Sequence, residues 1–533
     1  MSAISVSQSA VVSQTNTRNP VMILTVITTV ALLLRLVLLP QIQHPGIADP
    51  NHYYNLGLQL VQGQGFTIDY IWHFYNPPQA VVHPDDFWQP GAGVIAAVGM
   101  TLFGQTVQGA LLPFVILGAL LPLVAYWAAR AFGCTPAMCL FVAGAAAVLP
   151  EFVLSSLRTD TLIPNALLVC CALLLLGNGL RSGQWWAFAG SGVCAGLSYL
   201  MRGDNLLLIP LLLCLLVIYS LWVRGDGKTA RRWIGGGLAF SIALLIVLPW
   251  LLRNIADFGS ATTPNLSRMF FMTDFRDHYA YGRELTLQTW LAAQTPIEII
   301  TKRLLEMAAS AKMMWVSLDL FLPVAVVGGG LLLLVARDRQ RWLRIAPALV
   351  LLGGMFVFYT ILAPYGSQGG SYKKSYLTLV PLLLPIAGYA LEQAISNTRI
   401  RTGVALLVLL FMTANAIEFV RADIRFTNEY LRIVQEMSAA AAALPDVDGD
   451  GERIYMTQDP YMLRFVNMQS VMFPMETRDT VYDVALRYHV DYLLMPADRP
   501  ALDVLVLGAE SDIRFVPVLE VEGTPFIFYE VVR

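Results

Sequence analysis

The strongest constraint on this chain is a succession of eleven long apolar runs, most of them ended by arginine or lysine. They cover residues 21–40, 107–130, 136–153, 162–180, 185–200, 205–223, 233–252, 313–336, 345–364, 375–392 and 404–419. Twenty helical residues rise about 30 Å, the thickness of a bilayer's hydrocarbon core. Of the 533 residues, 56% are hydrophobic and 14% charged, against roughly 45–50% and about 25% in soluble domains. The sequence therefore predicts an α-helical polytopic membrane protein of about 11 spans. A net charge of −2 gives no reason to expect a nucleic-acid partner.

Charge sets the expected orientation. With the N-terminus in the cytoplasm, the inner loops hold Arg130, Arg181, Arg224, Lys228, Arg231, Arg232, Arg337, Arg339, Arg341, Arg344, Arg399 and Arg401, against Asp226 and Asp338. This is the positive-inside pattern. Residues 91–103 are apolar but too short to span, and a crossing there would move every later basic cluster outside. They read as an interfacial helix started by Trp88-Gln-Pro-Gly91.

The expected organisation is a disordered cytoplasmic segment 1–20, a membrane domain 21–420 with outer loops 41–104 and 253–311, and an extracytoplasmic tail 421–533. The tail has short β-like runs at 453–456, 492–495, 515–519 and 526–532, with a helical stretch at 481–488. It predicts a small α/β domain. Residues 1–420 carry net +7 and the tail −9. The linker Asp446-Val-Asp-Gly-Asp-Gly451 lacks the helices and final Glu of a calcium loop. The six cysteines lie in or beside apolar runs and read as buried small residues.

Ionisable groups at a membrane boundary are costly and mark sites. Asp49 lies nine residues beyond the first run, and Asp160 sits in the short outer loop between the third and fourth. Each reads equally as a helix cap. Two carboxylates on one face suit base catalysis, and they leave a divalent metal open. Arg158, Arg202, Arg253, Arg268, Lys373 and Lys374 are cations on the outer side, against the charge trend. Such cations suit an anionic headgroup such as phosphate, though each alone reads equally as a headgroup anchor. His52, three residues after Asp49, Tyr53 and Arg158 are expected in the vicinity of the acceptor or of any metal. No H-E-x-x-H or G-x-x-x-x-G-K-[ST] pattern occurs.

The layout resembles the GT-C superfamily of membrane glycosyltransferases, in the branch of protein O-mannosyltransferases and the aminoarabinose transferase of lipid A. The resemblance rests on Asp49-Pro-Asn-His-Tyr-Tyr54 with Gly63-Gln-Gly65, Trp88-Gln-Pro-Gly91 and Leu102-Phe-Gly104. It continues through Leu157-Arg-Thr-Asp160, Tyr199-Leu-Met-Arg202, Leu248-Pro-Trp250 with Arg253-Asn254, and the Gly/Tyr/Lys turn before Leu377. Where the family carries an acidic pair in the first loop, this chain has Asp49-Pro50. The resemblance implies that Asp49 is the catalytic base, Asp160 the second acid, and Arg202 and Arg253 donor-phosphate ligands. Arg268, Lys373 and Lys374 join that set from topology.

It further implies a polyprenyl-phosphate-linked sugar donor, a protein, lipid or glycan acceptor, inversion at the anomeric carbon and residence in the plasma membrane among its lipids. Short inner loops leave no place for a nucleotide-sugar domain. A transporter or flippase would place polar residues at mid-span and carry internal repeats, which the sequence lacks. A polymer ligase or non-catalytic membrane protein is the remaining alternative.

Overall fold

The computed structural model describes residues 20–74, 76–223, 226–263, 268–319, 321–366, 371–447 and 452–533. The expected N-terminal disorder, Arg224 and the last four residues of the 446–451 linker lie outside the described residues. The chain opens with α1 (Pro20–Leu38), α2 (Asp49–Val61), α3 (Gly91–Phe103), α4 (Val107–Phe132), α5 (Pro136–Val148), α6 (Pro150–Ser155), α7 (Leu162–Ser182) and α8 (Trp185–Met201). It continues through α9 (Leu208–Trp222), α10 (Thr229–Phe258), α11 (Leu287–Ala292), α12 (Pro296–Val316), α13 (Phe321–Ala336), α14 (Arg339–Val357), α15 (Ser371–Ala394) and α16 (Thr398–Ala441). Eight of the described helical segments are long and apolar enough to cross a membrane, or nine if α12 and α13 count as one bent span. The protein is an integral multi-pass membrane protein.

Three expected spans differ in form. The run 136–153 breaks at Leu149, whose backbone is extended (φ −59°, ψ 124°) ahead of Pro150. Helical geometry is disfavoured for a residue before proline, and proline offers no N–H to continue the ladder. The run 185–200 is a helix of 17 residues. The run 313–336 is two helices with axes 105° apart. The first of them, α12, begins inside the stretch expected as the outer loop 253–311. Its start is a reciprocal cap: Thr295 Oγ1 accepts from the Glu298 N–H at 3.4 Å, and Glu298 Oε2 accepts from the Thr295 N–H at 2.7 Å.

Small residues let the helices of the bundle approach closely. At Gly192 in α8, an added Cβ would lie 2.3 Å from the Ala239 carbonyl oxygen of α10, and at Gly196 it would lie 2.9 Å from that of Ala243. With lipid on both sides, such packing takes over from the hydrophobic effect as the adhesive. Gly192→Leu is expected to wedge α8 from α10 at a cost of about 1–3 kcal/mol, read as a lower thermal midpoint in detergent. An unchanged midpoint would refute the close contact.

Helix α16 runs 44 residues, so the expected tail boundary at 421 falls inside it. Beyond it come β4 (Ile454–Thr457), α17 (Pro460–Phe465), β5 (Gln469–Met472), α18 (Arg478–Arg487), β6 (Tyr492–Met495), α19 (Pro500–Val506), β7 (Phe515–Glu520) and β8 (Ile527–Val531). Three earlier strands lie in the first loop: β1 (Thr67–Ile68), β2 (Tyr70–Ile71) and β3 (His83–Pro84). The large sheet has the order β2-β5-β4-β6-β8-β7. Its first four strands are mutually parallel, β8 runs antiparallel to β6, and β7 runs antiparallel to β8. Strand β2 pairs Tyr70 with Ser470 and Ile71 with Val471, so the first loop supplies one edge of the tail's sheet.

Candidate active site

Asp49 opens α2, directly after Ala48, which holds φ 58° and ψ −120°. A non-glycine residue there stores strain, a feature that concentrates at functional sites. The Asp49 side chain does not cap the helix. Its Oδ2 accepts from Lys374 Nζ at 3.1 Å. The same ammonium lies 3.0 Å from Asp160 Oδ2, while Asp160 Oδ1 accepts the Leu162 N–H of α7 at 3.0 Å. Asp160, one residue before the Thr161 N-cap, thus holds the first N–H of α7 with one oxygen and Lys374 with the other. Thr159 Oγ1 donates to the Pro50 carbonyl, which ties the two acidic loops together. Three distant parts of the chain meet on one ammonium.

Asp160 is buried, which alone would raise its pKa. Lys374 and the Leu162 N–H outweigh burial and hold it below the usual carboxylate range. Because the folded value is depressed, this contribution to stability is complete above the unfolded value of roughly 4 and fades as pH falls through the folded one. The difference in thermal midpoint between wild type and Asp160→Asn is therefore expected to stay constant between pH 5 and 8 and to shrink below about pH 4. A difference that grows on acidification would contradict this.

Arg202 ends α8. Its Nη2 donates to Asp204 Oδ2 at 2.9 Å, the Ser371 carbonyl at 3.0 Å, Ser375 Oγ at 3.1 Å and Tyr359 Oη at 3.2 Å. Tyr359 also donates to Asp204 Oδ2 at 2.8 Å, from a π-helical turn (Phe358–Leu362) that follows α14. Such turns are over-represented at functional sites. Arg202 Nη1 has no partner among the described residues. Lys373 is a third exposed and pairs with Glu151 of α6 at 2.5 Å, which the break at Pro150 places there. Arg268 makes no ion pair or hydrogen bond with the described residues.

Two expected ligands do structural work instead. Arg253 donates to the carbonyls of Asp85 (2.7 Å) and Phe66 (3.1 Å), pairs with Asp257 (2.7 Å), and lies 4.8 Å from the Trp250 ring centre. It clamps the first loop onto α10. Arg158 pairs with Asp423 and so fastens the Asp160 loop to α16. His52 is fully buried, with Nε2 3.0 Å from Asp85 Oδ2 and Nδ1 2.7 Å from Tyr70 Oη. Both nitrogens are committed, so it is no free metal ligand. Burial raises the Asp85 pKa, but His52, the Phe87 N–H and Arg253 bring it below the ordinary range. Tyr53 lies edge-on to His52 and Trp88, in the aromatic wall beside Asp49. Among the described residues no three His, Cys, Asp or Glu side chains converge on a metal position.

The family model described as dolichyl-phosphate-mannose-protein mannosyltransferase matches residues 82–252. That stretch includes Asp160 and Arg202 but not Asp49 or Lys374. Undecaprenyl phosphate-alpha-4-amino-4-deoxy-L-arabinose arabinosyl transferase 2 of Pseudomonas fluorescens is 28% identical over 210 residues, 38% of this chain and 34% of that protein. The match thus spans about a third of that relative's length. The crystal structure of ArnT from Cupriavidus metallidurans bound to undecaprenyl phosphate superposes with a TM-score of 0.59 at 17% identity, over 95% of this chain and 97% of that one. The chain has the GT-C fold. The Archaeoglobus fulgidus oligosaccharyltransferase in its apo form also aligns, with a TM-score of 0.56 at 13% identity, over 89% of this chain and 69% of that one.

Within this GT-C fold, sequence reasoning placed Asp49, Asp160, Arg202 and Lys374 on one face, and the structure brings them into one cluster. It missed Asp204, Tyr359, Ser375 and Glu151. Asp204 carried a signal, as an acid two residues from an arginine at a span end. Tyr359 and Ser375 carried none, because a hydroxyl inside an apolar run declares no partner.

Proposed function

We propose that the protein is a glycosyltransferase that moves a sugar from a polyprenyl phosphate to an acceptor hydroxyl at the outer membrane face. One observation carries the reading. Asp49 is a quarter exposed, more than Lys374 and Asp160 beside it, with one carboxylate oxygen free of partners among the described residues. A base has to touch its substrate. In the proposed step Asp49 accepts the acceptor's proton as the hydroxyl oxygen attacks the anomeric carbon. The bond from that carbon to the phosphate oxygen breaks, and the polyprenyl phosphate leaves with its electron pair. A single displacement inverts the centre.

Phosphate needs no proton to leave, but it gains charge and needs neutralising. Arg202 through Nη1, Lys373 and Arg268 are the cations with room for it. The donor class is supported by the undecaprenyl phosphate bound in ArnT. The assignment of the site to the outer face, with the N-terminus inside and the 421–533 region outside, is supported by the basic loops at the opposite ends of the spans.

Purified full-length protein in liposomes with synthetic polyprenyl-phosphate sugars is expected to release polyprenyl phosphate only when acceptor is added. Absence of release across pentose and hexose donors, with no lipid-linked sugar co-purifying by mass spectrometry, would refute the reading.

A further inference from the structure

Facing carboxylates at a glycosyl-transfer site invite a divalent cation, and here the geometry resists one. The oxygens that face each other, Oδ2 of Asp49 and Oδ2 of Asp160, already share Lys374 Nζ at 3.1 and 3.0 Å. An ammonium has only donors and cannot itself be a ligand. Magnesium requires near-octahedral oxygens at about 2.0–2.1 Å, and calcium requires more of them. The second oxygen of Asp160 is spent on the Leu162 N–H. His52, one turn on from Asp49 in α2, has both nitrogens bound.

Lys374 is also held in place. The Thr378 hydroxyl donates to its carbonyl at 2.9 Å and accepts from Asn165 Nδ2 of α7 at 3.1 Å. Asn165 in turn accepts from Asn205 at 2.6 Å. The neighbouring charges cancel within their own pairs, Lys373 with Glu151 and Arg202 with Asp204. Among the described residues no cation other than Lys374 lies within ion-pair distance of Asp49 or Asp160.

We propose that Lys374 is the fixed internal cation of this site: its ammonium stands where a divalent metal would bridge Asp49 and Asp160, and it holds the two carboxylates together and aligned without one. Lys374 is then a positioning residue that acts through Asp49. The inference deepens the functional reading and rests on it only for the transfer assay, because metal binding is measured without substrate.

The test uses purified full-length protein and manganese, followed by electron paramagnetic resonance. Wild type is expected to bind no manganese at this site, and its transfer is expected to be unchanged by EDTA. Lys374→Met uncovers the two acids. It is expected to bind manganese at least ~10-fold tighter than wild type, as two freed carboxylates attract a dication, and Asp160→Asn in the same chain is expected to abolish the gain. Its transfer is expected to fall about 10–100-fold, the scale of losing a supporting partner, and to recover in part with manganese. Lys374→Arg keeps the charge and should gain no manganese affinity.

Wild-type manganese binding that Asp49→Asn or Asp160→Asn removes would overturn the proposal. So would EDTA-sensitive transfer restored by manganese, or a folded Lys374→Met protein with no gain in affinity. If Lys374→Met does not fold, wild type and Lys374→Arg decide the matter. Absent transfer by wild type would sink the glycosyltransferase reading while leaving the manganese spectra to judge Lys374.

Discussion

Asp49→Asn is expected to keep the fold and to cut sugar transfer by about 10²–10⁴-fold, the usual worth of a positioned base. The amide is isosteric with the carboxylate, and its oxygen can still accept from Lys374, so the contact that ties α2 to α15 survives. What disappears is a site for the acceptor's proton. The loss should therefore appear in the rate of the chemical step, with donor binding largely intact. A purified Asp49→Asn protein with normal thermal stability and near-normal transfer would remove Asp49 from the role of base. A protein that aggregates would leave Asp49→Glu, which retains the carboxylate one methylene further out, as the variant to measure.

The second large effect concerns stability. Asp204 is almost fully buried beneath Arg202 and accepts from three side chains on three elements: Arg202, Tyr359 and Ser375. Asp204→Ala strands a guanidinium in a poorly hydrated place. Removing one partner of a buried ion pair costs about 3–5 kcal/mol, whereas replacing both by apolar groups is often neutral. The thermal midpoint is thus expected to drop sharply in Asp204→Ala and to recover in an Arg202→Met/Asp204→Leu double variant. The double variant should still transfer poorly, since it lacks the Arg202 nitrogen offered to the donor phosphate. If Asp204→Ala melts within a degree or two of wild type, the pair is not a keystone of the bundle.

These expectations mark the boundary of what the sequence makes legible. Long apolar runs announce themselves because lipid forbids almost any other pattern, and so the helices were readable nearly throughout. Breaks inside them were less so. Pro150 was in plain view, yet prolines also sit inside α4 and α15 without ending those helices, and only the neighbouring packing separates the two outcomes. In the tail, β6 was readable to the residue from Tyr-Leu-Leu-Met, while Gln469–Met472 hid because four mixed residues carry no period.

The site divided along a similar line. Scarcity of charge near the membrane exposed Asp49, Asp160 and the cations. It did not say which cation meets which acid. Lys374 was grouped with the phosphate ligands and turns out to join the two carboxylates, and Arg253 was grouped likewise and turns out to brace a loop. Ion pairing between residues 325 positions apart is a property of the fold and leaves no local trace.

The pairing of β2 with β5 sets the timetable of synthesis. Tyr70 and its partner Ser470 are 400 residues apart, and ribosomes add about 5–20 residues per second. The segment carrying Asp49 is therefore made roughly 20–80 seconds before the strand that completes its surroundings exists. Over that interval Tyr70, Trp72 and Trp88 lack the Tyr461 ring that they end up against. Closure of the surroundings of Asp49 is thus a late event, possible only once most of the chain has been made.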